Sequence, residues 1–182
     1  MEFDKNPSTI RDLQRELYAW ETYNFGVQEI YPKILGICEE AGELCHSVLK
    51  MGQKIRGDRG KHMADLRDAI GDVAIYALNA ASARRIEIRS LPQGTLPKGT
   101  MHQDALEVFS AASKFADMAL MEMDKKQCAS LEQLNDLFAN LFAKLATMAL
   151  HLERDALEDV VRDTYRHVTR RNWRDNPETG VA

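Results

Sequence analysis

The chain has 182 residues, 45% hydrophobic and 29% charged, a balance that excludes a disordered segment and allows a real core. Its formal net charge of -4 argues against general nucleic-acid binding, which needs a surplus of Lys and Arg, although a small phosphate ligand needs only a local cluster. Cys38, Cys45 and Cys128 form no C-x-x-C pair, so neither a disulfide framework nor a thiolate zinc site is indicated.

Ser8 or Thr9 is a plausible N-cap for a first amphipathic helix carrying Leu13, Leu17 and Trp20. Asn24-Phe25-Gly26 breaks it. A second helix is expected from near Pro32, a residue suited to a first turn, to about Lys50. Gly52, Gly57 and Gly60 stand among charged residues and mark a polar loop. A third helix is expected from about Met63 to Arg85. Residues 90–102 hold two Pro and two Gly and read as a linker. Three more helical runs follow, at about 103–125, 130–152 and 154–172. Ser130 with Gln133 has the spacing of a capping box. No repeat and no alternating strand pattern is present, so the expected class is all-α with about six helices. No stretch approaches the roughly 20 apolar residues that span a bilayer. The N-terminus is too polar for a signal peptide. A cytoplasmic location without a membrane partner is expected.

On a helical wheel, Ile34, Ile37, Cys38, Ala41, Leu44, Cys45 and Val48 share one stripe of the second helix. Glu39, Glu40 and Glu43 fall opposite, with Gly36, Ser47 and Lys50. On the third helix, Leu66, Ile70, Val73, Ala77 and Ala81 oppose Asp65, Asp68, Asp72, Tyr76 and Asn79. Such faces are ordinarily solvated. Here the carboxylates occupy adjacent turns with few cations four residues away to relieve them. Carboxylates on two facing helices supply hard oxygen ligands suited to Mg²⁺ or Mn²⁺.

Glu39-Glu40-Ala41-Gly42-Glu43-Leu44, followed by Asp68-Ala69-Ile70-Gly71-Asp72-Val73, resembles the MazG-like all-α nucleoside triphosphate pyrophosphohydrolases. Their pattern is E-E-x-x-E on one helix and E-x-x-D on the next. Asn24-Phe25-Gly26, Leu49-Lys50, Ile55-Arg56-Gly57 and Val168-Thr169-Arg170-Arg171-Asn172-Trp173 also resemble the family, over about residues 20–88 and 155–180. The resemblance implies a MazG-like helical bundle with an inserted helical pair at about 90–150, working as a homodimer or higher homo-oligomer. It implies that Glu40, Glu43 and Asp72 bind Mg²⁺ and that Glu39 orients or deprotonates the attacking water. The Glu of E-x-x-D falls at Ala69. Asp68, at i and i+4 with Asp72, is expected to take over part of its role. The alternatives are a site with one metal fewer, or impaired catalysis.

The implied reaction is hydrolysis of an NTP or dNTP to the monophosphate and pyrophosphate. Lys50, Lys54, Arg56, Arg170 and Arg171 are the candidate phosphate ligands, with Arg the better fork. Arg170 and Arg171 are expected to close the last helix. Trp20, Phe25, Tyr76 and Trp173 are candidates to stack on a base, and Asn79 to read its edge. Trp20 and Trp173 fit core or dimer contacts better. Cys38 and Cys45 read as small core residues, and Met118, Met121, Met123 and Met148 as packing.

Two competing readings stand beside this one. Glu43 and His46 have the E-x-x-H spacing of di-iron bundles, which want a second such motif that the chain lacks. A non-enzymatic, MazG-like interaction or regulatory protein is the other, motivated by Ala69 and the extra helices.

Overall fold

The computed structural model describes residues 3–125, 128–152 and 156–181. The described residues form six helices and no strand: α1 (Ile10–Phe25), α2 (Ile30–Gln53), α3 (Arg59–Ala83), α4 (Met101–Lys125), α5 (Leu131–Ala149) and α6 (Leu157–Val168). None of these helices is long and apolar enough to cross a membrane.

The helix ends follow from local chemistry. Thr9 Oγ1 accepts the Asp12 N–H at 3.1 Å and caps α1. Gly26 ends that helix at φ 75°, a left-handed value that favours glycine. Asp58 caps α3 through the Lys61 N–H at 2.8 Å, so α3 begins four residues before the expected Met63. The capping box of α5 is present: Ser130 Oγ accepts from the Gln133 N–H, and Gln133 Oε1 accepts from the Ser130 N–H. The last helix is shorter than expected. Residues 154 and 155 lie outside the described residues, and α6 ends at Val168. Arg170 and Arg171 therefore lie beyond the helix they were expected to close.

Helix α3 is the centre of the bundle. It packs against α1, α2, α5 and α6, while α4 lies on α2 and α5. That position changes the reading of its polar face. From Ala69 to Ala81 nearly every residue is buried, including Asn79 at 3% exposure. Helix α2 likewise buries two faces, because α3 and α4 flank it. Gly36 and Ser47, expected on the solvated side, are buried.

Glycines set the closest approaches. A Cβ at Gly36 would enter the ring of Tyr76, and one at Gly71 would enter the Thr164 hydroxyl. The first brings α2 onto α3, and the second brings α6 onto α3. Gln14, buried on α1, fastens the extended segment after α3. Its Nε2 donates to the Ile86 carbonyl at 2.8 Å, and its Oε1 accepts the Ile88 N–H at 2.8 Å. Met118 and Met148 are core residues, whereas Met121 and Met123 are exposed and so do not pack as expected. Cys38 and Cys45 are half-buried against the core, and burial pushes both thiols up, away from the reactive thiolate.

Candidate functional site

The short connection 54–58 folds α3 back antiparallel to α2. The contact of Gly36 with Tyr76 fixes the register of the pair. One helical turn along α2 from Gly36 stands Glu40, and one turn back along α3 from Tyr76 stands Asp72. A further turn brings Glu43 and Asp68 to the same level. The sequence motifs thus face each other across one groove.

The electrostatics show how close these groups are. Burial raises the Glu40 carboxyl to about 8, helped by the charges of Asp72, Glu43, Glu39 and Asp68. Burial and then Asp68 raise Asp72 to about 7, with Glu43 adding and Arg171 opposing. Tyr76 is also pushed up, by burial first and then by Glu40, Glu39, Asp72 and Glu21. Glu39, Glu43 and Asp68 are exposed along the rim, while Glu40 and Asp72 are half-buried beneath it. A groove of about 480 Å³ runs along this rim, lined by Glu39, Gly42, Glu43, His46, Ser47, Asp65 and Asp68.

Among the described residues no three His, Cys, Asp or Glu side chains are gathered into a ready-made ligand set. The donors are hard oxygens along an open groove. That geometry suits Mg²⁺, which keeps several waters and takes only one or two carboxylates directly. Carboxyls pushed up first by burial and then by the charges of their neighbours also fit a site completed by a cation.

Other predicted residues divide. The charge of Arg171 acts on Asp72 and opposes the rise of its carboxyl. Lys50 bonds Gln53 Oε1 at 3.2 Å, and Lys54 and Arg56 are exposed in the α2–α3 connection. Lys50 is seven residues past Glu43, about 10 Å along the axis. None of these three acts on Glu40 or Asp72. Arg170 is exposed. Tyr76 lies on Gly36, and Asn79 is buried beyond it with Oδ1 lacking a hydrogen-bond partner among the described residues. Ala69 is buried in the core, whereas Asp68 lines the groove. Trp20 is buried, and its indole N–H donates to the Arg171 carbonyl at 2.9 Å, which removes it as a base-stacking platform.

Several residues were not among the candidate ligands for the cation or the nucleotide. His46, Ser47 and Asp65 extend the groove towards the α2–α3 connection. Lys33 is 1% exposed and pairs with buried Glu21, Nζ to Oε1 at 3.1 Å. Glu21 acts on Tyr76, so this pair lies near the inner end of the site. No spacing rule reveals it, because the partners come from different helices. A roomier cleft of about 530 Å³ lies between α4 and α5, lined by Met118, Met121, Leu137 and Cys128 with Lys114 and Asp117. Asp117, Glu122 and Asp136 also line it, and Glu122 is already engaged by Arg84 and by the Ala129 N–H at 2.8 Å.

The chain matches no family model, no curated protein and no solved structure. Its own residues therefore carry the functional reading.

Proposed function

We propose that this chain is an Mg²⁺-dependent nucleoside triphosphate pyrophosphohydrolase, a MazG-like enzyme that converts an NTP or dNTP to the monophosphate and pyrophosphate. The observation that carries this reading is the convergence of Glu39, Glu40, Glu43, Asp68 and Asp72 across one groove, with Glu40 and Asp72 pushed up to about 8 and about 7. Glu40, Glu43, Asp68 and Asp72 are the ligand set for the cation. Asp68 stands in for the absent Glu at Ala69, supported by its influence on both Glu40 and Asp72.

A bound Mg²⁺ supplies charge neutralisation for the phosphates and a lowered pKa for the attacking water. Glu39, exposed at the rim, orients that water and takes its proton as oxygen bonds to the α-phosphorus. The bond to the leaving pyrophosphate breaks in line. Arg171 offers a forked donor to the phosphates from the Asp72 side. Tyr76, held on Gly36 and pushed up by burial and then by its acidic neighbours, offers an O–H donor and a ring face.

A panel of NTPs and dNTPs with Mg²⁺ tests the reading through pyrophosphate release. Turnover of at least one nucleotide is expected. Glu43→Ala and Asp72→Ala should each lower kcat by about 10²- to 10³-fold, the scale of losing a group that acts on transition-state charge, while far-UV circular dichroism stays unchanged. No release from any nucleotide sinks the reading, and retained turnover in either variant refutes the site. Such a null result with an intact fold would favour the non-catalytic MazG-like reading, which Ala69 motivates.

The homodimer belongs to the same proposal. Leu49 on α2 and Leu106 and Phe109 on α4 are exposed on two helices that pack together, a surface suited to a second copy. Sedimentation should give a mass of at least twice 20.6 kDa.

A further inference from the structure

Arg171 lies past the end of α6, in a segment without regular secondary structure. An arginine on such a segment samples many positions, and ordering it costs entropy. Here α1 pins the backbone around it at successive residues. Trp20 donates its indole N–H to the Arg171 carbonyl at 2.9 Å. One turn along α1, Asn24 Oδ1 accepts the N–H of Trp173 at 2.7 Å and of Arg174 at 3.3 Å. The Asn24 amide is itself oriented, because its Nδ2 donates to the Trp20 carbonyl at 2.8 Å.

Three further contacts limit the arginine. The Gly71–Thr164 contact seats α6 against α3 next to Asp72. The Arg171 guanidinium lies 5.8 Å from the centroid of the Trp173 ring, which restrains the fork without cancelling its charge. Gly180, at φ 71°, returns the tail so that its carbonyl accepts the Asn172 N–H at 2.6 Å.

We propose that Trp20 and Asn24 are positioning residues: by hydrogen-bonding the backbone of Arg171, Trp173 and Arg174, they hold Arg171 as a phosphate-binding fork at the inner end of the groove, where Glu21, next to Trp20, pairs with Lys33 one turn from the Gly36–Tyr76 contact. The phosphate role rests on the pyrophosphohydrolase reading; the placement of the cation does not. The arrangement gives Asn24-Phe25-Gly26 and Arg170-Arg171-Asn172-Trp173, far apart in the chain, one shared task. It also separates Arg171 from exposed Arg170, whose backbone N–H donates to the His167 carbonyl of α6 instead.

Two measurements on the full chain test this. The first is Mn²⁺ affinity of the nucleotide-free protein, followed by electron paramagnetic resonance. Arg171→Ala removes a cation from near the groove and should tighten Mn²⁺ several-fold, the scale of a unit charge acting on a nearby divalent ion through solvent. Trp20→Phe, which keeps the ring and loses the N–H, and Asn24→Leu should each reproduce part of that gain. Arg174→Ala, whose side chain lies over Tyr23 instead, should not. The second is KM for the best nucleotide. Trp20→Phe and Asn24→Leu should raise it about ten-fold, the scale of a hydrogen bond to a charged group, with kcat changed less. Trp20→Phe should add nothing in an Arg171→Ala background.

Unmoved Mn²⁺ affinity in Trp20→Phe and Asn24→Leu, where Arg171→Ala does move it, overturns the positioning role. So do additive losses in the double variant. Unmoved affinity in Arg171→Ala overturns the placement of Arg171, and no Mn²⁺ binding to either protein overturns the cation site and with it the fork. The expected Mn²⁺ pattern without turnover of any nucleotide keeps the positioning and removes the pyrophosphohydrolase reading. If Trp20→Phe does not fold, Asn24→Leu decides the question.

Discussion

Lys33 and Glu21 show what a single residue commits a structure to. Both are taken out of water, and each offsets the desolvation of the other at 3.1 Å. Burial pushes the Glu21 carboxyl up, and Lys33 pulls it back. Lys33→Ala leaves a buried carboxyl without its counter-ion and should cost about 3–5 kcal/mol in urea denaturation. Lys33→Met with Glu21→Leu should recover most of that loss, since the pair is then replaced by apolar volume. An uncorrected double variant would show that the pair contributes more than mutual neutralisation. Glu40 is the opposite case, a half-buried carboxyl whose charged neighbours among the described residues are the like charges of Asp72, Glu43, Glu39 and Asp68. Glu40→Gln should raise the metal-free Tm at pH 8, because it removes a repelled charge, while abolishing nucleotide turnover. A lower Tm would contradict the repulsion.

At the scale of the helix, two glycines decide where the site can form. Gly36 admits the Tyr76 ring, and Gly71 admits Thr164. Alanine ordinarily stabilises a helix interior by about 1 kcal/mol relative to glycine. At Gly71 the sign reverses, because Thr164 is buried and its hydroxyl is already bonded to the Val160 carbonyl at 3.0 Å. Gly71→Ala should destabilise by about 1–3 kcal/mol, the usual cost of overpacking. Thr164→Ala in the same chain should relieve most of it, and purely additive losses in denaturant titrations would refute the contact. The same displacement moves α6, and with it the tail that carries Arg171, so KM should rise alongside the loss of stability.

For the molecule as a whole, the carboxylate groove couples stability to pH and to cations. Glu40 rises from 4.5 to about 8 on folding and Asp72 from 3.8 to about 7. The folded protein therefore holds these protons over a range where the unfolded chain has lost them. Stability is fully present below the unfolded values and falls as pH rises through about 7 to 8. Calorimetry in EDTA should show Tm decreasing from pH 5.5 to 8.5. Mg²⁺ should restore it most at the upper end, where the carboxyls are ionised and bind the cation. A Tm that rises over this range in EDTA, or that ignores Mg²⁺ at pH 8.5, would contradict the clustering. Ion pairs tie the remaining helices around the groove: Arg84 with Glu122, Lys144 with Glu107 at 2.8 Å, and Arg67 with Asp163 at 2.9 Å. Through the first two, α4 and α5 are joined to the core and to each other.

The all-α class, the order of the helices, the α5 capping box and the two acidic motifs were legible in the chain itself. Helical periodicity, turn residues and caps are local, and a single sequence displays them directly. Helix ends were less legible where a cap such as Asp58 extends a helix past its apolar pattern. The meaning of the polar faces was not local. A wheel separates apolar from polar residues but does not say which neighbour covers the polar side. Packing of α3 inside four other helices turned Asn79 into a buried group, and packing of α2 between α3 and α4 buried Gly36 and Ser47. Only tertiary structure brought Glu40 and Asp72 to one groove, paired Lys33 with Glu21, and tied Arg171 to α1, while Lys54 and Arg56 stand exposed in the α2–α3 connection. Each of these depends on register between segments distant in the chain, which is set by close contacts such as Gly36 with Tyr76 rather than by any spacing within one helix.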